Sequence, residues 1–177
     1  MTKILKRKYI LINSVGGQIT SAMAIHDVIK FLSCEIITIA LKNSFSIATL
    51  LLTAGSNGKR YAFRNSEISL FLNLSAHEKA INEILEDSSD RVSLIIDKIL
   101  NCFVETTGLS KEKLKLLCNM DNILSLENVM KCNLIDKRVN IDIPNKSKCR
   151  IHFIKNIKDE SYYKEIVSKL QCSGIIS

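Results

Sequence analysis

Two short apolar runs, each followed by a helical pattern, constrain the fold of this chain more than any other feature. Residues 9–13 (YILIN) and 35–40 (EIITIA) have the continuous apolar character of strands buried on both faces. Residues 47–54 form an apolar helical pattern that stops at Gly55. An earlier helical pattern starts at Thr20, and its predicted buried face is Ala22, Ile25, Val28, Ile29 and Leu32. Strands alternating with helices predict a parallel α/β fold with right-handed connections.

The next stretch alternates in the manner of a half-buried strand, with one exception. In residues 65–75 (NSEISLFLNLS) an apolar row alternates with a polar row, which indicates a strand. Phe71 occupies a position in the polar row. An aromatic ring on the face where polar groups gather suggests that a polar side chain has been replaced there.

The second half of the chain is predicted to be mainly helical. A long helix is predicted from about Ile81 to Gly108, and a second begins near Ser110. Residues 125–131 form another, with Ser125 as its N-cap, and residues 134–136 resemble a short closing strand. A polar loop is expected between residue 40 and residue 47, and a further helix near residues 160–170.

Composition excludes several classes of protein. The 177 residues predict a single domain, and the absence of an apolar run of about 20 residues predicts no membrane span. The net charge of +7 lies at the two ends, without interleaved aromatic residues, so we expect solvated tails and no nucleic-acid partner. The six cysteines lack metal-binding spacing, which predicts no metal site and favours a reducing compartment.

Two short motifs are candidate sites of chemistry. Gly16-Gly17 follows the first strand and exposes backbone N–H groups, as an oxyanion site requires, although a Gly-Gly pair is more often a simple turn. Ser46 precedes a buried helix, where N–H groups and the helix dipole favour negative charge. The alternative for Ser44 or Ser46 is a helix cap, and the residues alone favour the cap.

Taken together, these motifs resemble the ClpP family, the proteolytic subunit of the Clp protease. The similarity runs from about Tyr9 to Val139 through the blocks NSVGGQITSAMAIHDVIKFLSCEIITIA, SIATLLLTAGSNGKRYAFRNSEISL, TTGLSKEKL and LSLENVMKCNLIDKRV. The resemblance implies the family's ClpP/crotonase-like α/β spiral of βαβ units with a projecting handle helix. The N-terminal segment that precedes the first strand in family members is expected to be absent. We assign residues 1–138 to the Clp-like domain and residues 139–177 to a basic C-terminal extension.

The resemblance also implies a site, residue by residue. Its nucleophile is Ser46, its triad acid is Asp121, and its oxyanion donors are the backbone N–H groups of Gly17 and Ile47. The catalytic histidine of the family falls on Phe71, which answers the question raised by the alternating strand. A phenyl ring cannot accept a proton from serine, so we predict a chain that does not hydrolyse peptides measurably by itself.

Three histidines could in principle supply the missing base. His26 is expected to be a packed or surface residue on its helix, and His152 lies beyond the recognisable domain. His77 comes six residues after Phe71 and would need a rearranged loop to reach Ser46. An active endopeptidase that uses His77 therefore remains an alternative.

The sequence thus predicts a non-catalytic Clp subunit similar to the ClpR subunits, without a cofactor. Expected partners are other Clp proteolytic subunits in heptameric rings and, through the assembled complex, an AAA+ Clp unfoldase; no membrane is expected. The expected location is a plastid, in the chloroplast stroma or the apicoplast, with a bacterial cytoplasm as the alternative. A degenerate interaction protein outside the ring is a further alternative.

Overall fold

The structure, a computed structural model, describes residues 7–71, 89–119 and 122–139. These residues form five strands and five helices. In chain order they are β1 (Lys8–Ser14), α1 (Ile19–Phe31), β2 (Ile36–Phe45), α2 (Ile47–Thr53), β3 (Arg60–Phe63), β4 (Glu67–Ser69), α3 (Ser89–Thr107), α4 (Lys111–Asn119), α5 (Leu126–Lys131) and β5 (Lys137–Val139).

The strands form one parallel sheet, as the alternating pattern predicts. Its order is β1-β2-β3-β5, and β4 also pairs with β2. Because β1 occupies one edge of β2, β3 and β4 lie one after the other along its second edge. Mixed α/β architecture with parallel strands confirms the predicted fold class.

The sheet has two apolar faces, because successive side chains on a strand point to opposite sides. One face packs against helices and contributes Ile12, Ala40 and Ala62 to the main core, with Leu50 of α2 and Phe103 of α3. The other face carries a second cluster centred on buried side chains of β1 and β2, with partly buried side chains around it: Tyr9, Ile37 and Ile39, and Leu11, Leu41, Tyr61 and Phe63.

A buried arginine joins β3 to the second half of the chain. Arg60 is only 2% exposed. Its guanidinium donates to both carboxylate oxygens of Asp136, at 2.6 and 3.0 Å, and to the backbone oxygens of Thr106 and Asn133, each at 2.9 Å. The charge is therefore paired and hydrogen-bonded, which a buried cation requires.

Several predicted boundaries are wrong, for identifiable reasons. The expected polar loop after residue 40 is the second half of β2, where Asn43, Ser44 and Phe45 pair with β4. The closing strand predicted at residues 134–136 lies instead at residues 137–139, because Asp136 is held by Arg60. The strand β3 was not predicted. Of the strand predicted at residues 65–75, only residues 67–69 form β4, and residues 72–75 lie outside the described residues.

The predicted helices are confirmed where they are described, with one error in the face of α1. Val28 and Leu32 are 58% and 43% exposed, whereas His26 is buried with Ile29. The Ser125 hydroxyl caps α5 by accepting from the N–H of Asn128 at 3.3 Å, as predicted. Residues 72–88 and 140–177, which include the start of the predicted long helix and the helix near residues 160–170, lie outside the described residues.

Gly55 and Gly108 end their helices in different ways. Gly108 follows α3 with φ of +73°, the left-handed conformation that favours glycine at a helix end. At Gly55 the reason is close packing, since an added Cβ would lie against the Thr38 hydroxyl.

Within the described ranges, no helix is both long and apolar enough to span a bilayer. The same residues contain no group of three or more side chains that could hold a metal ion. Cys34, Cys102, Cys118 and Cys132 are free thiols.

Candidate active site

The candidate site lies where three neighbouring parallel strands end. The carboxyl ends of parallel strands face the same edge of a sheet. The strand β1 leads into Gly16-Gly17, β2 leads directly into Ser46, and β4 ends two residues before Phe71. Pairing of Ser14 with Ser44 and of Phe45 with Ser69 aligns these ends. The topology therefore brings the glycine pair, the serine and the phenylalanine position to one edge.

Ser46 lies on a sharp strand-to-helix turn in a strained backbone conformation. Its φ is 55° and its ψ is −128°, a region that side-chain-bearing residues rarely adopt. Its N–H donates to the carbonyl oxygen of Ser69 at 3.0 Å, which holds the turn against β4. A serine on a strained turn between a strand and a helix presents its hydroxyl outward, which is the geometry of a nucleophile elbow.

The helix-cap alternative for this serine is not what the structure shows. Ser46 occupies the N-cap position of α2, but its side chain makes no capping hydrogen bond. Ser44 does not cap the helix either, since its buried Oγ has no hydrogen-bond partner. The Ser46 hydroxyl is thus half-buried and not committed to the helix end.

Gly16, which sequence reasoning did not single out from the pair, touches Ser46. An added Cβ on Gly16 would lie 3.1 Å from Ser46 Cβ and 3.6 Å from Ser46 Oγ. Its φ of +108° also excludes an unstrained side chain. Around Gly17 no atom of the described residues, its two chain neighbours excepted, lies within 4 Å of an added Cβ. Gly16 therefore allows the close approach of the loop, and Gly17 borders open space.

Two backbone N–H groups at this edge are candidate donors for an oxyanion. The N–H groups of Gly17 and Ile47 make no hydrogen bond to any residue that the structure describes. Ile47 is the first residue of α2, where N–H groups have no partner within the helix. These are the two predicted oxyanion donors, and their assignment stays a prediction.

Thr49, a second residue that sequence reasoning missed, ties the strand ends together. Its buried Oγ1 lies 2.6 Å from the carbonyl oxygen of Ser44 and 2.8 Å from that of Ser69. The Thr49 hydroxyl shares its one proton between these two carbonyl oxygens. It therefore links the end of β2 to the end of β4, next to the turn at Ser46. No pattern in the sequence indicated this role.

Hydrogen bonds at Ser69 connect the backbone of Phe71 to the turn at Ser46. Its N–H donates to Ser69 Oγ at 3.1 Å, and the carbonyl oxygen of Ser69 accepts the N–H of Ser46. The ring is half-buried. Nearby, the N–H of Leu124 donates to the carbonyl oxygen of Ile68 at 2.8 Å, which connects the segment after α4 to β4.

Of the remaining candidates, only His26 lies among the described residues, and it lies on α1. His26 is 3% exposed on α1, its Nδ1 lies 3.3 Å from Asp27 Oδ1, and its Nε2 has no hydrogen-bond partner. This confirms a packed histidine. Asp121, His77 and His152 lie outside the described residues.

The fold and the placement of this serine can be compared with known families. The Clp protease family profile matches residues 3–141, which is most of the chain. The chain belongs to the Clp protease family. Proteins of this family form oligomeric rings, and the parallel sheet with its helices agrees with the family's fold. The resemblance drawn from the sequence motifs is therefore confirmed at the level of the family.

Proposed function

We propose that this Clp protease homologue is a non-catalytic, ClpR-like subunit that completes a mixed ring with active Clp proteolytic subunits. The observation that carries the proposal is Phe71, two residues beyond the Ser69 carbonyl that accepts the N–H of Ser46. By the resemblance, this is the position that the family uses for its base, and here it carries a phenyl ring.

The chemical consequence is large. A serine hydroxyl becomes a useful nucleophile only when an adjacent base accepts its proton. Phenylalanine has no lone pair for that proton and gives Asp121 nothing to orient. Removing the base from another serine protease lowers turnover about a millionfold, nearly as much as removing the whole triad. His26 carries the only imidazole among the described residues, and it makes no hydrogen bond to Ser46.

Exposed apolar side chains support a role in assembly. At the C-terminal end of α1, Val28 and Phe31 are 58% and 88% exposed, and the following residue, Leu32, is 43% exposed. Val28 and Phe31 are three residues apart, so they are neighbours on the helix surface. Leu94 on α3 and Leu116 on α4 are also exposed. Contiguous apolar surface of this kind is typical of subunit contacts, here with neighbouring Clp subunits in a heptameric ring.

A mixed ring of this kind implies a partner complex and a cellular location. An AAA+ Clp unfoldase is the partner of the assembled complex, and the chamber is shaped jointly by active and inactive subunits. A plastid is the proposed location, with a bacterial cytoplasm as the alternative. No cofactor is required.

Labelling with a fluorophosphonate probe tests the loss of catalysis. We expect no labelling of the wild-type protein and labelling at Ser46 in the Phe71→His variant, which restores the base. Phe71→His combined with Ser46→Ala is the matched control and should not label. Labelling of wild type at Ser46 would overturn the non-catalytic proposal.

A retained turn at Ser46 favours one second candidate, an active peptidase with a displaced base. The strained backbone and the free N–H groups of Gly17 and Ile47 are what an oxyanion site needs. His77 is the candidate base. Wild-type labelling that is lost in His77→Ala and kept in His26→Ala would establish this alternative.

Assembly is tested separately by light scattering after size-exclusion chromatography. A ring subunit should elute as a large oligomer, alone or with an active Clp proteolytic subunit. Phe31→Ser should weaken that assembly, because it replaces the most exposed ring on α1. A monomer under both conditions would instead support an interaction protein that functions outside the ring.

A further inference from the structure

A groove whose described lining does not include Ser46 carries an unusual set of side chains. It has a volume of about 750 Å³ and is open to solvent. It lies between the turn after β3, the start of α5 and the strand β5. The lining consists of two arginines, three other polar residues and two apolar residues: Arg64, Arg138, Asn65, Ser125, Glu127, Leu126 and Met130.

The sheet register brings the two arginines together. Arg138 on β5 pairs with Ala62 on β3, and Arg64 follows Ala62 by two residues. Side chains two residues apart on neighbouring strands are diagonal neighbours, within reach of long side chains. Both arginines are exposed, and neither forms an ion pair with any residue that the structure describes. The groove thus holds two arginines on neighbouring strands, and neither is paired with a carboxylate of the described residues.

We propose that this groove is an interaction surface for an acidic, partly apolar peptide segment of a partner protein. Arginine binds carboxylates through paired, charge-assisted hydrogen bonds, so two neighbouring arginines fit two acidic side chains of one segment. Leu126 and Met130 offer apolar contact between these charges, and Met130 is 44% exposed. Asn65 and Ser125 can hydrogen-bond to the peptide backbone.

The lining argues against the other polyanions that arginines bind. Nucleic-acid grooves combine basic side chains with aromatic rings on which bases stack, and no aromatic residue is among the described residues that line this groove. Glu127 adds a carboxylate to the lining, which repels a densely charged phosphate backbone more than a segment of spaced carboxylates. A volume of about 750 Å³ is also larger than one small anion would fill.

Binding at this groove does not require the chemistry proposed for Ser46. The test of the groove therefore does not depend on the proposed function.

The test measures binding of a fluorescein-labelled octapeptide of alternating glutamate and leucine to the full-length protein by fluorescence anisotropy. A peptide with glutamine in place of glutamate is the matched ligand control. We expect saturable binding of the acidic peptide that weakens with added salt and no saturable binding of the glutamine peptide. Arg64→Gln and Arg138→Gln should each weaken binding about tenfold.

Two variants control for indirect effects. Lys137→Gln removes an exposed charge next to Arg138 that does not line the groove, and it should leave the affinity nearly unchanged. Glu127→Gln removes the opposing carboxylate and should strengthen binding about threefold. Equal affinity in wild type and both arginine variants would overturn the proposal. So would tighter binding of an oligothymidine, or full competition by inorganic phosphate at the concentration of the peptide.

Discussion

Gly16 approaches Ser46 so closely that a side chain at Gly16 would press against it, although the two residues are thirty positions apart in the chain. An added Cβ on Gly16 would come within 3.1 Å of Ser46 Cβ and 3.2 Å of the carbonyl oxygen of Phe45. The loop after β1 and the turn after β2 are thus packed so tightly that a methyl group on Gly16 would require its neighbours to shift. The glycine is required both for its positive φ and for this approach.

Gly16→Ala should therefore destabilise the protein more than an alanine substitution at a positive-φ glycine that has no close neighbours. We expect a decrease of about 2–3 kcal/mol in the free energy of unfolding, from backbone strain together with the clash at Ser46. Gly58→Ala is the control, because its φ is +77° and no atom lies within 4 Å of the added Cβ. It should lose about 1 kcal/mol. Equal losses in urea titrations would show that the contact with Ser46 does not matter.

Ser46→Gly should stabilise the protein. A side-chain-bearing residue at φ 55° and ψ −128° carries strain of about 1–3 kcal/mol, and glycine removes it. The greater freedom of glycine in the unfolded chain offsets part of this gain, so we expect a net increase of about 1 kcal/mol. Thermal unfolding measures the effect.

Ser46→Ala is the matched variant for this strain. It keeps the strained backbone and removes a hydroxyl that makes no capping hydrogen bond, so its stability should stay within about 0.5 kcal/mol of wild type. If Ser46→Gly were no more stable to thermal unfolding than Ser46→Ala, the backbone at Ser46 would not be strained.

The sequence was informative where local patterns decide structure. Continuous apolar runs located β1 and β2, and the Ser125 cap and Gly108 stop follow from local hydrogen bonding and backbone freedom. Ser46 and Gly17 could be singled out because residue types and their order carried the family resemblance. Their catalytic assignment stays a prediction.

Features that depend on distant contacts were missed. β3 contains Arg60, and an arginine in a four-residue run does not indicate a buried strand until Asp136 and Asn133 satisfy its charge. The roles of Gly16 and Thr49 depend on loops that meet only in the folded chain. On α1, tertiary packing buried His26 and left Val28 exposed, which a periodicity of apolar residues cannot anticipate.

The buried pair of Arg60 and Asp136 predicts a large loss of stability when only one partner is removed. Arg60→Met leaves the Asp136 carboxylate without its cation and removes three further hydrogen bonds, to the backbone oxygens of Thr106 and Asn133 and to Asn133 Oδ1, so we expect a loss of about 3–5 kcal/mol. Urea unfolding followed by circular dichroism measures it. Arg60→Met combined with Asp136→Leu should lose less than the sum of the two single changes, because neither charge is then stranded. If the stability loss of the double variant equalled the sum of the two single losses, Arg60 and Asp136 would not be energetically coupled.

The same pair predicts how stability depends on pH. Burial raises the pKa of Asp136, but the hydrogen bonds and positive charge of Arg60 outweigh it, so the pKa is held below its usual value near 4. Below this usual value the unfolded chain binds the proton that the folded chain excludes. The contribution of Asp136 to stability is therefore complete above about pH 4 and is lost as the pH falls through the lowered pKa.

Asp136→Asn isolates this contribution. The difference in unfolding free energy between wild type and Asp136→Asn should be largest near neutral pH and should shrink as the pH falls below about 4. Asp97→Asn is the matched control, since Lys111 also lowers the pKa of Asp97, but that carboxylate is exposed and its ion pair is screened by solvent. Its difference from wild type should be small at every pH. A difference for Asp136→Asn that does not change with pH would mean that the asparagine disrupts packing and not the charge pair.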